Sequence, residues 1–78
     1  SYCSLKTFWK VVRMMIRLGD TINVTKYHGV RKMWLVKNPS LKKYTDKVYV
    51  VMGLVHNGWC SLNNGTLKEM RAWMEQYR

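Results

Sequence analysis

The sequence predicts an α+β fold, with residues 1–78 forming one small basic domain: an N-terminal helix, a three- to four-stranded antiparallel meander, and a C-terminal helix packed on one face of the sheet. Three observations predict it. Apolar residues recur at helical spacing near the N-terminus, an uncharged β-branched run leads into Asn57-Gly58 in the middle, and a capping box at Thr66 opens a second helical pattern near the C-terminus.

The first helix is expected over residues 5–18. Ser4 suits the N-cap, Leu5, Phe8, Trp9, Val12, Met15 and Ile16 share one side, and Gly19 suits the position after a helix end. On the other side Lys6, Lys10, Arg13 and Arg17 follow one another at spacings of four, three and four. At about 100° per residue this confines the four cations to a stripe of about 60°, and no acid interrupts it. A solvated helix face gains from i,i+4 pairs of opposite charge, whereas four like charges repel. Such a stripe is therefore read as a surface for a polyanion, against the plainer reading of a solvated lysine-rich face.

The middle of the chain reads as strands. Ile22 and Val24 alternate with polar neighbours, a turn is expected at His28-Gly29, and residues 30–37 contain Met33-Trp34-Leu35-Val36. Asn38-Pro39-Ser40 punctuates the chain, and the residues after it are read as a loop rather than as a helical turn begun by Pro39. Residues 48–55 are apolar on both sides, and Asn57-Gly58 predicts a type I′ hairpin that returns through Trp59-Cys60-Ser61-Leu62. This uncharged hairpin is expected at the centre of the sheet, with Gly53 marking a bulge or a close approach. Asn63-Asn64-Gly65 is expected to turn the chain into the last helix, whose Leu67, Met70, Trp73, Met74 and Tyr77 form one apolar face.

Composition narrows the class. Hydrophobic residues at 47% with four Trp exclude a disordered basic tail, and no apolar run reaches the ~18 residues of a transmembrane helix. Residues 1–47 hold eleven of the fourteen Lys and Arg against Asp20 and Asp46, while residues 48–66 hold no Asp, Glu, Lys or Arg. A net charge of +10 on so small a domain requires an anionic partner, and phosphate is the commonest one. Four carboxylates and two histidines are a thin inventory for acid–base catalysis, and Glu69 is committed to its cap. Cys3, His28, His56 and Cys60 have the composition of a zinc site, but the ligands are scattered and no CxxC is present, so no metal and no cofactor are expected.

The sequence is accordingly read as a non-enzymatic nucleic-acid-binding domain that recognises mainly the phosphate backbone, with an intracellular setting favoured over secretion and no small-molecule substrate. Its candidate site residues are Lys6, Lys10, Arg13, Arg17, Lys26, Tyr27, Arg31, Lys32, Trp34, Lys42, Lys43, Tyr44 and Lys47. Cations interleaved with aromatic rings are what a strand with exposed bases requires, and Tyr27 and Tyr44 are the expected stacking rings. Trp9, Trp59 and Trp73 are assigned to packing. The order of elements and the length are similar to those of the double-stranded-RNA-binding domain. That family's second helix opens on a lysine-rich patch, where this chain has only Lys68 and Arg71, so membership is not assigned. Two other classes fit the charge: an anionic-membrane-binding, matrix-like domain, and a small secreted ligand loosely like a chemokine, with a Cys3–Cys60 bridge and an acidic protein partner.

Overall fold

The computed structural model describes residues 15–41 and 46–78. Four strands, β1 (Thr21–Asn23), β2 (Lys32–Lys37), β3 (Tyr49–Val55) and β4 (Gly58–Gly65), form one antiparallel sheet in the order β1-β2-β3-β4, and one helix, α1 (Leu67–Glu75), follows. The fold is α+β. Met33 and Leu35 of β2, Val51 of β3, and Met70 and Met74 of α1 are buried together with Ile16, Ile22, Val24 and Val30 in one cluster between the sheet and the helix. Alternation in β2 explains its part: Met33 and Leu35 point to α1, while Lys32, Trp34 and Val36 point away. Strand β3, apolar throughout, is flanked on both sides and carries core residues on one face and Val50, Met52 and Leu54 on the other.

Several expectations are corrected. Residues 15–18 are not helical, and the remainder of the expected N-terminal helix lies outside the described residues. Gly19 does take positive φ, +87°, but it closes a turn in which Asp20 N–H donates to Arg17 O at 2.9 Å and Asp20 Oδ2 accepts from Arg17 N–H at 3.1 Å. Gly19 N–H then donates to Leu35 O, and Asp20 O accepts from Leu35 N–H, so the backbone here serves the sheet instead of a helix. Ile16 is still buried, through an irregular segment.

The uncharged hairpin is not wholly central: β2 and β3 are the inner strands and β4 is an edge. Its corner is not type I′ either. Val55 pairs with Gly58, which leaves His56 and Asn57 as the corner residues, and neither has positive φ; Gly58 does, at +122°. The turn therefore places the left-handed residue after the corner, as in hairpins built on a type I turn. The expected turn at His28-Gly29 is present, with Val30 N–H donating to Tyr27 O at 3.1 Å and Gly29 at φ +82° supplying the third position of the turn. Pro39–Leu41 is a short 3₁₀ helix where a loop was expected; Asn38 Oδ1 accepts from Ser40 N–H at 3.2 Å and from Ser40 Oγ–H at 2.6 Å, which starts the turn.

Asn63, Asn64 and Gly65 continue β4 instead of turning. Val51 pairs with Asn63 and Met52 with Ser61, so Leu62 is an extra residue, a bulge that shifts the pairing by one position for the rest of the strand, which runs on to Gly65. Leu62 lies on the α1 side over Gly53, the residue whose lack of a side chain makes room for it. The capping box forms as predicted: Glu69 N–H donates to Thr66 Oγ1 at 3.2 Å and Thr66 N–H to Glu69 Oε1 at 3.0 Å.

Candidate nucleic-acid interface

Residues paired directly across an antiparallel sheet share a face, so the register defines the surface opposite α1. One row runs Asn23, Lys32, Leu54, Trp59, the next Thr21, Trp34, Met52, Ser61, and a third ends in Val36, Val50, Asn64. Trp34 is 38% exposed and Trp59 is 43% exposed, and their rings meet edge-to-face with centroids 5.8 Å apart at 63°. Met52 and Leu54 between them are half-buried, and Val50 at the far end is buried outside the main cluster. The result is an apolar centre with two indoles, bordered by Thr21, Asn23, Ser61 and Asn64 and containing Lys32. No described element packs on it.

Two loops close one end of this face. The β1–β2 connection is anchored by Val24 N–H donating to Arg31 O and Arg31 N–H donating to Leu54 O, both at 2.9 Å. Beside it stands the His56-Asn57 corner, and between them lies a depression of about 510 Å³ lined by Thr25, Tyr27, His28, Arg31 and His56. Lys26, His28, Arg31 and Lys32 are exposed around it. Strand β2 leads from Lys32 to Lys37, about 17 Å away at the usual rise per residue. Near that second end Lys37 Nζ lies 6.0 Å from the Tyr49 ring centroid, and Lys47 and Arg17 are exposed.

The candidate residues therefore divide. Tyr27 and Arg31 line the depression at the first end, Lys26 precedes Tyr27 in the same loop, and Lys32 and Trp34 lie in adjacent rows of the sheet, whereas Arg17 and Lys47 stand toward the second end. Lys6, Lys10, Arg13, Lys42, Lys43 and Tyr44 lie outside the described residues. Tyr27, expected as a stacking ring, is packed on the α1 side: its ring meets Tyr77 at 4.9 Å and Trp73 at 6.0 Å, both edge-on. Trp73 serves packing as expected, but Trp59 does not join the core. Its assignment to the interior is corrected by the register, which puts it opposite Leu54 on the face away from α1. The Asn57-Gly58 corner expected from the sequence would have set Trp59 opposite His56; the observed corner at His56-Asn57 sets it opposite Leu54, and the β2–β3 register brings Trp34 alongside.

Three of the four carboxylates are engaged locally. Asp20 holds its turn, Glu69 its cap, and Glu75 Oε1 lies 2.9 Å from Arg78 Nη1. Among the described residues no three His, Cys, Asp or Glu side chains lie close enough to hold a metal ion, and no helix is long and apolar enough to cross a membrane. Cys60 is exposed on β4 as a free thiol, and Cys3 lies outside the described residues. Known protein families, curated proteins and solved structures contain no match to this chain.

Proposed function

We propose that this protein is a non-enzymatic nucleic-acid-binding domain whose phosphate contacts centre on Lys26, Arg31 and Lys32. The observation that carries this reading is the juxtaposition of those exposed cations, at one end of the sheet, with a neighbouring face that presents two tryptophans. The charge excess supports it: fourteen cations against four carboxylates leave ten positive charges uncompensated whatever the pairing. On this reading Lys6, Lys10, Arg13 and Arg17, together with Lys42, Lys43 and Lys47, extend the same attraction.

Binding of the full chain to single-stranded and duplex DNA and RNA across a salt series tests it. Three phosphate contacts give a log–log salt slope of about −3 on duplex DNA, and eight give about −7. Lys26→Glu with Arg31→Glu is expected to weaken every such complex by tenfold or more at ~150 mM salt, because two attractions become repulsions. A protein that sediments with anionic vesicles and shifts no oligonucleotide even at low salt overturns the reading in favour of a membrane surface.

A further inference from the structure

We infer that the sheet face opposite α1 is a base-stacking platform, and that the preferred ligand is therefore an unpaired strand of nucleic acid rather than a duplex. The inference rests on the nucleic-acid reading above and adds which form of the polymer is selected.

Exposed aromatic area is the first reason. Trp34 and Trp59 lean toward each other over β3, and their edge-to-face contact at 5.8 Å supports both rings while each keeps more than a third of its surface open. A ring held by a neighbour's edge and flanked across the strands by Met52 or Leu54 has little rotamer freedom left to lose when a base stacks on it. Geometry is the second. In a duplex the base faces are occupied by their neighbours and only edges and phosphates are presented, so an indole reaches a π-face only where bases are unpaired. A reader of duplex grooves uses bidentate Arg, Asn or Gln side chains, and the centre of this face offers Trp, Met, Leu and Val.

Charge is the third reason, and it selects the occupant. An apolar sheet face could also be covered by a second copy of the chain, but each copy carries +10, and pairing two would concentrate like charge around a buried seam. A polyanionic strand has the opposite sign. Lys32 lies in the same cross-strand row as Trp59, and Arg31, next to it in the chain and bonded through its backbone to Leu54, stands at the end of the sheet, so phosphates of a strand whose bases lie on the indoles would meet cations at the margin. Asn23, Thr21, Ser61 and Asn64 supply hydrogen-bonding groups around the rim for base edges.

The test compares three probes on the unaltered full chain at ~150 mM salt: an ordinary single-stranded oligonucleotide, a strand of equal length with abasic sugars, and the duplex. The ordinary strand is expected to bind about tenfold or more tighter than either of the others, since the abasic strand keeps the phosphates and loses the faces. Trp34→Leu and Trp59→Leu keep apolar area on the sheet and remove the π-face; each is expected to weaken the ordinary strand about tenfold and to leave the abasic strand unchanged. Equal affinity for ordinary and abasic strands, tighter binding to the duplex, or a base preference that survives both substitutions in folded protein overturns the inference and leaves the nucleic-acid reading standing. Absence of binding to any of the three at low salt sinks both. A mass that doubles with concentration without nucleic acid, and reverts in Trp59→Leu, assigns the face to a second copy and also overturns the inference.

Discussion

Leu62 lies on the helix side of the sheet, two positions beyond Cys60, and Gly53, the partner of Cys60, is the residue that admits it. A Cβ built on Gly53 would lie 2.5 Å from Leu62 Cδ1 and 2.9 Å from Leu62 Cγ. The branch point as well as the methyl is in the way, so rotating the end of the side chain does not relieve the contact. Gly53→Ala is therefore expected to destabilise by about 1–3 kcal/mol, the usual cost of overpacking, read as a lower urea midpoint with an unchanged slope. An unaltered midpoint would mean that Leu62 is not seated over Gly53. At this scale the sequence was half legible: glycine inside a β-branched run signals a close approach, but the side chain that approaches comes from a bulge nine positions further along the chain, and no local pattern announces it.

Local signals governed the elements unequally. Helix α1 was legible because its determinants are neighbours in sequence: Thr66 and Glu69 satisfy each other's backbone N–H groups, and Met70 and Met74 at i,i+4 bury one face. That cap also sets a pH response. The backbone N–H of Thr66, then its hydroxyl, and to a lesser degree the Lys47 charge, hold the Glu69 carboxyl below its ordinary value of 4.5, with partial desolvation acting the other way. A carboxylate whose folded value is depressed binds fewer protons folded than unfolded. Its contribution is thus present in full above 4.5 and is lost as pH falls through the lower folded value. Thermal midpoints of the parent are expected to fall on acidification through that window more steeply than those of Glu69→Gln; parallel curves would show that the cap contributes nothing. Residues 15–18 illustrate the opposite case. Met15 and Ile16 fit a helical period, yet Ile16 is buried from a non-helical segment because Gly19 and Asp20 are bonded to Leu35, a partner that periodicity cannot see.

Charge acts on the whole molecule, and its sign makes two processes respond to salt in opposite ways. Added salt weakens attachment to a polyanion. It also screens the repulsion among the cations of a chain with net charge +10, as the Debye length falls from about 30 Å at 0.01 M to about 8 Å at 0.15 M. The thermal midpoint of the free protein is therefore expected to rise over that range, measured in a non-binding buffer. A falling midpoint would show that attractive pairs such as Glu75–Arg78 outweigh the excess of like charge. The charge excess was legible at this scale, since composition fixes the sign and size of the field. The gathering of Lys32, Trp34 and Trp59 on one face was not, because it exists only after three strands have aligned.

What the sequence determined by itself was whatever depends on near neighbours or on sums: the capped C-terminal helix, the apolar strand of residues 49–55, the turn glycines and the charge excess. Tertiary structure alone decided the cross-strand register, the bulge at Leu62, the irregular burial of Ile16 and the outward face of Trp59. The physical reason is the two-residue period of a strand. A shift of one residue in register exchanges the faces of a sheet, and register is set by partners distant in sequence, so which tryptophan meets the core and which meets solvent is a property of the assembled sheet.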